Sequence, residues 1–165
     1  MNDPLAAYLH DHLAGARYAI DLVEALRDHF RDQPLGHFAE ALLKEINQDR
    51  DTLRSLSEKV GSASNPLKES AAWLGEKISR FKLNHSDSTG LGTFEALEFL
   101  QLGIHGKVVL WRALAEVAPF DKRLSGVDFE ALARRAQSQE MLVEQRRLQA
   151  AREALQPPSA KAEGA

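Results

Sequence analysis

Several residue types and patterns are missing from this sequence, and each absence excludes a class of protein. The 165 residues include no cysteine, which excludes disulfide bonds and thiolate metal sites and fits a reducing compartment. No apolar run approaches the ~20 residues that a membrane-spanning helix needs. The N-terminal stretch MNDPLAAYLHDH also lacks the basic and apolar regions of a signal peptide. We therefore expect a cytoplasmic protein without a membrane partner.

A surplus of charge of one sign is also missing. Lysine and arginine number 21 against 24 acidic residues, for a net charge of −3, so the composition does not favour binding to nucleic acid. In the last helical segment five arginines balance five acidic residues between Asp128 and Glu153, as on a solvated helix face. No glycine-rich phosphate loop or nucleophile elbow is present. These absences favour a protein that is not an enzyme.

Helical periodicity is what the sequence does have, over almost its whole length. Apolar residues recur every three or four positions, and no stretch keeps the alternation of a strand. The first helix should begin at Pro4 with Asp3 as its cap. The second should run over 35–60 and end at Gly61. We expect a short helix over 66–83, two further long helices over 92–118 and 127–155, and a disordered tail over 156–165.

The lengths of the connections predict how these helices are arranged in a single domain over 1–155. Short breaks after the first and fourth helices make each long pair an antiparallel hairpin. The segment 61–91 between the two hairpins is long enough to cross the bundle from one end to the other. We therefore expect an all-α, ferritin-like antiparallel four-helix bundle, with the short helix in the long crossover between the second and third helices of the bundle.

The whole ordered chain also resembles a group of uncharacterised bacterial ferritin-like proteins. The stretches that carry the resemblance are YLHDHLAGARYAIDL, KEINQDRDTL, AAWLGEKISRFKLN, LEFLQLGIHGKVVLWRAL and RLSGVDFEALARRAQSQ. The wider ferritin-like class implies a di-metal centre in the bundle core, built from one Glu on each of two helices and a Glu-x-x-His motif on each of the other two. The resemblance thus implies a fold and a place to look for a metal.

Both Glu-x-x-His motifs of that centre are missing here. Glu45 is followed three residues later by Gln48, Glu98 by Gln101, and Glu140 by Val143. A neutral glutamine amide is a poor replacement for an imidazole. We therefore expect no cofactor, with iron, manganese or zinc as the alternative. The candidate metal ligands that remain on the inward faces are Glu45, Asp49, Glu98, Gln101, His105 and Glu140.

Two interpretations of these residues stay open. Glu45 and Asp49 interrupt the apolar stripe of the second helix. They form either a residual acidic cluster for a cation or a partly buried salt bridge of Asp49 with Arg17 or Arg50. Glu98, Gln101 and His105 share a face and would bind one metal together with Glu140 or Gln137, or else form a polar layer that fixes helix register.

Three other features of the sequence carry a structural interpretation. His12 lies on the apolar stripe of the first helix and is expected to be a hydrogen-bonded core histidine. Gly103 and Gly106 flank His105 and indicate close approach by another helix or by a ring such as Trp73. The function predicted from all these features is a non-catalytic interaction or structural module, with a homodimer through an apolar helix face as one form. The alternative is a metal- or small-ligand-binding protein with a non-standard polar site.

Overall fold

The computed structural model describes residues 3–61 and 90–157, and this part of the chain contains four long helices and no strand. Helix α1 spans Pro4–His29 and α2 spans Pro34–Val60. Helix α3 spans Leu91–Val117, a 3-10 turn spans Lys122–Leu124, and α4 spans Phe129–Ala154. The long helices predicted from periodicity are thus confirmed to within two residues at each end. The predicted short helix over 66–83 and most of the tail lie outside the described residues.

The ends of the helices follow from local chemistry. The Asp3 carboxylate accepts the Leu5 amide at 3.0 Å, which satisfies an N–H that the first turn leaves free. Proline occupies the first position of both α1 and α2, where a missing N–H costs nothing. Gly61 ends α2 with a φ of 105°, a backbone conformation that glycine adopts without strain. The predicted cap and stop residues of the first hairpin are confirmed.

The four helices form two hairpins that pack against each other. Helix α1 lies along α2, and α3 lies along α4; between the hairpins α1 contacts α3 and α2 contacts α4. At one end of the bundle Arg123, which follows α3, donates to the carbonyl oxygen of Val60 at 3.4 Å. At the other end Phe30 and Gly90 line the same cavity as Ala150 of α4. The end of α2 and the start of α3 therefore lie at opposite ends of the bundle.

The apolar core is divided into two clusters along the bundle axis. The first cluster takes its buried side chains from the C-terminal half of α1 and the ends of the other helices that meet it, including Val23, Leu42, Leu97 and Val143. The second includes Leu9, Leu56, Trp111 and Ala133. Between them the only buried polar side chains of the described residues are Asp49 and Gln139, at 2% and 1% exposure. The middle of the bundle is therefore polar where its two ends are apolar.

None of the described helices is both long enough and apolar enough to cross a membrane.

Candidate functional site: a buried ion-pair layer

A layer of five polar and charged side chains fills the middle of the bundle, and we call it the ion-pair layer: Glu45, Asp49, Lys107, Arg135 and Gln139. Asp49 is its centre. The Lys107 ammonium donates to Asp49 Oδ2 at 2.5 Å, and the Arg135 guanidinium donates to Asp49 Oδ1. Each oxygen of this buried carboxylate thus faces a cation, and the two cations come from α3 and α4.

Gln139 completes the layer and connects its two acids. Its amide nitrogen donates to Glu45 Oε2 at 2.8 Å and to Asp49 Oδ2 at 3.3 Å, while its Oε1 accepts from Lys107 Nζ. Both the nitrogen and the oxygen of this fully buried amide therefore have hydrogen-bond partners, as a buried amide requires. Glu45 itself is exposed, so the layer extends from the bundle core to the surface of α2.

The charges of the layer balance at two positive and two negative, but their surroundings differ. The Lys107 side chain is 14% exposed and that of Arg135 is 34% exposed, against 2% for Asp49. Burial lowers the pKa of the Lys107 ammonium, and the positive charge of Arg135 adds to this, whereas the carboxylates of Asp49 and Glu45 oppose it. Asp49 therefore favours the charged form of a lysine whose pKa is lowered by burial.

The local sequence explains how a lysine reaches this position. Lys107 stands between the buried residues Ile104 and Val108 on the inner side of α3. Its methylene stem can pack beside these apolar neighbours while the ammonium extends to Asp49. Gln139 likewise lies three residues after buried Ala136 and four before buried Val143, which is the spacing of the inner stripe of α4.

The remaining predicted ligands lie elsewhere, along the surface where α3 meets α4. His105 Nδ1 and Glu140 Oε1 are 2.9 Å apart, and the His105 side chain is 59% exposed. Glu98 accepts from Arg147 at 3.2 Å, and Arg147 also pairs with Glu144. Gln101 is half-buried, and its Oε1 accepts no hydrogen bond from the described residues.

The six predicted metal ligands therefore divide into separate contacts. Glu45 and Asp49 share Gln139 as a donor, His105 meets Glu140, and Glu98 meets an arginine. Over residues 3–61 and 90–157 no group of three or more His, Asp or Glu side chains is arranged to hold a metal ion. The donor set at the centre also suits a cation of the chain better than a divalent metal, because Asp49 has both oxygens bonded to cationic donors and no imidazole of the described residues is bonded to it.

The predicted salt bridge of Asp49 is present, but its predicted partners are wrong. Neither Arg17 nor Arg50 bonds to it; Arg50 pairs instead with its neighbour Asp51 at 2.8 Å. The actual partners, Lys107 and Arg135, come from the other hairpin and were missed, as was Gln139. The charge balance of the last helix predicts a solvated face for its arginines, whereas Arg135 extends inward to Asp49. Lys107 and Arg135 stand beside the inner stripes of α3 and α4, which indicates burial but does not indicate which acid they meet.

Two smaller predictions concern His12 and the glycines on either side of His105. His12 is half-buried with its ring edge-on to Tyr8 at a centroid distance of 4.6 Å, and burial lowers its pKa. The tight approach expected at the glycines around His105 is not found in the described part of the chain. A methyl group at Gly106 would meet no described atom within 4 Å, and one at Gly103 would meet only the Ala19 Cβ at 4.0 Å. The predicted contact with Trp73 lies outside the described residues.

Comparison with known proteins returns no match: no family model, curated protein or solved structure is similar to this chain. The class of the protein therefore rests on the fold and on the layer at its centre. Over residues 3–61 and 90–157 the protein is all-α, with four long helices and a core that contains the ion-pair layer around buried Asp49.

Proposed function

We propose that this chain is a ferritin-like bundle in which an ion-pair layer takes the place of a metal centre, and that it acts as a non-catalytic structural or interaction module. The observation that carries the proposal is the state of Asp49. It is the most buried carboxylate among the described residues, and its two oxygens are bonded to the cations of Lys107 and Arg135.

The chemistry of the layer supports this function over catalysis. A metal ion at Asp49 would have to displace two cationic donors, and an acid-base role would need a carboxylate or amine with an open side facing a substrate. Here the buried amine and the buried carboxylate are bonded to each other, and Gln139 is bonded to both. Buried polar groups of this kind fix the register of helices in several known bundles.

The connectivity supports the ferritin-like part of the proposal. Helix α2 ends at one end of the bundle, and α3 begins at the opposite end. Two hairpins joined in that way have the connectivity of ferritin-like folds, whereas a simple up-and-down bundle joins neighbouring ends.

Metal retention tests the proposal. Untagged protein is purified without chelator, exposed anaerobically to Fe(II), Mn(II) or Zn(II), desalted, and its metal content is measured by plasma mass spectrometry. We expect no metal above background in the wild type. Retention of two equivalents that Asp49→Asn abolishes would overturn the proposal, because the central carboxylate would then be a metal ligand rather than the partner of Lys107.

A second candidate function, single-metal binding, is favoured by one contact. His105 and Glu140 are two of the predicted ligands, they lie 2.9 Å apart on neighbouring helices, and the pair is accessible from solvent. Retention of one equivalent that His105→Ala abolishes, with Asp49→Asn retaining it, would favour this function and would place the metal at the α3–α4 surface.

A further inference from the structure

In the described part of the chain, large apolar side chains are exposed on one of the two hairpins and not on the other. Among the described residues, those with more than a third of their surface exposed all belong to α3, α4 or the residues that flank them, and none belongs to α1 or α2. They include Leu102 and Met141, each 68% exposed. Such asymmetry is unusual for scattered surface residues and is typical of an interaction surface.

Six of these side chains lie on one side of the α3–α4 hairpin, which we call the outer face: Leu91, Leu102, Val109, Met141, Leu148 and Leu155. The contact of His105 with Glu140 and that of Glu98 with Arg147 fix the register of α3 against α4. In this register Leu102 is level with the stretch between Met141 and Leu148, and Leu91 is level with Leu155. All six point away from the buried stripes of their helices.

The spacing within the outer face indicates what would cover it. Met141, Leu148 and Leu155 follow one another at seven-residue intervals, and so do Leu102 and Val109. Residues seven apart lie on the same side of a helix, two turns from each other, so the outer face runs lengthwise along α3 and α4. An occupant that covers it therefore has to lie lengthwise along both helices.

The side of the bundle that carries the outer face has the size of a dimer interface. A helix of 27 residues is about 40 Å long, and two adjacent helices are about 20 Å wide, so the solvent-facing side of the α3–α4 hairpin measures about 800 Å². The outer face itself runs along about 27 Å of this side, from Leu91 to Val109, and polar residues of α3 and α4 surround it. A stable protein–protein interface buries about 800 Å² on each partner, so the outer face with its polar surroundings can form one without any contribution from α1 or α2.

The polar groups that border the outer face suit a second copy of the same chain. Beside its middle, His105 is bonded to Glu140 and Glu98 to Arg147, all within the chain. A partner therefore needs no compensating charge, and a charge on an unrelated partner would be left unpaired when buried. The outer face of another copy meets this condition in both directions, as a two-fold symmetric interface requires.

We propose that the outer face is the surface through which two copies of this chain associate, with α3 and α4 of one protomer packed on α3 and α4 of its partner. This inference rests on the proposed function, since it names the partner of the interaction module. The dimer would be held by apolar contacts from Leu102, Met141 and Leu148, and its ion-pair layers would remain within each protomer.

Sedimentation velocity over a concentration series tests the proposal. The test variant combines Leu102→Lys with Met141→Lys, and the matched control places two lysines on the exposed side of α2 through Ala41→Lys and Ser55→Lys. We expect the wild type and the control to sediment as dimers, and the test variant to show a dissociation constant raised about 100-fold or more. Far-ultraviolet circular dichroism should be the same for all three proteins, because every substituted residue is exposed.

Two results would overturn the inference. One is a wild type that stays monomeric up to about 100 µM, well above a micromolar dissociation constant. The other is a dimer that survives in the test variant. Neither result affects the proposed function if the protein also retains no metal, because the module would then associate through another face or with another partner. Metal retention at Asp49 would overturn the proposed function even if the dimer forms.

Discussion

Removing the charge of Asp49 while keeping its shape should destabilise the bundle strongly. In Asp49→Asn the new amide places an N–H where the carboxylate accepted a hydrogen bond, so a donor faces the donors of Lys107 or Arg135. Lys107, with a side chain only 14% exposed, would be left with a buried charge and no carboxylate beside it except the more distant Glu45. The layer then carries two cations against one acid.

The magnitude follows from how deeply each partner is buried. Removing one member of a buried ion pair costs about 3–5 kcal/mol. The Arg135 side chain is 34% exposed, so water replaces part of what it loses and the lower end of that range applies. We expect Asp49→Asn to lower the free energy of unfolding by about 3 kcal/mol. For a chain of this size that corresponds to a fall in Tm of about 6–12 °C.

Urea unfolding followed by circular dichroism at 222 nm measures this quantity, and the same helix offers a matched control. Asp51 is two residues further along α2, its side chain is 62% exposed, and it pairs with Arg50 at 2.8 Å. Because exposed pairs contribute about 0–1 kcal/mol, Asp51→Asn should change the stability by less than about 1 kcal/mol. Equal effects of the two substitutions would refute the reasoning, since Asp49 would then behave as a surface residue.

Further substitutions test the ends of the bundle. Arg123 holds the pKa values of the Asp121 and Asp3 carboxyls below the ordinary 3.8. Arg123→Met should therefore destabilise the protein above pH 3.8, and its difference in stability from the wild type should disappear as the pH falls through the lowered pKa values. If the stability of the two proteins instead changes in parallel over acidic pH, this prediction is wrong. Gly36→Ala should cost 2 kcal/mol or more, on the order of other overpacking changes, because its methyl group would fall 2.1 Å from a carbonyl oxygen at the end of α1. Gly15 has open space around it, so Gly15→Ala should instead stabilise α1 by up to about 1 kcal/mol. Equal Tm values for the two alanine variants would refute this account of the packing.

Local chemistry made the helices predictable from the sequence. The bounds of α1 and α2 follow from the Asp3 cap, from Pro4 and Pro34 at the first helical positions, and from Gly61 at the end. Each of these signals acts within one turn of the residue that carries it. The pairing of helices into two hairpins was predictable as well, because a short connection leaves neighbouring helices no other arrangement.

The partners of Asp49 could not be predicted in the same way. Sequence spacing gives the level of a residue along its own hairpin, and this level pointed to Arg17. Lys107 and Arg135 are 58 and 86 residues away and belong to the other hairpin. Their approach depends on how each helix is rotated about its axis and on how the hairpins are offset, and no short-range signal sets either quantity. The existence of a polar layer was therefore predictable, while its membership was not.

The ion-pair layer is tested most directly by the coupling between its two most buried charges. A double-mutant cycle would compare Asp49→Asn, Lys107→Met and the double variant with wild type by urea unfolding. The account predicts that the two effects are far from additive, with a coupling free energy of about 2 kcal/mol, because the methionine removes the cation that the asparagine leaves unpaired. Additivity within about 0.3 kcal/mol would show that Asp49 and Lys107 do not hold the bundle together as a pair.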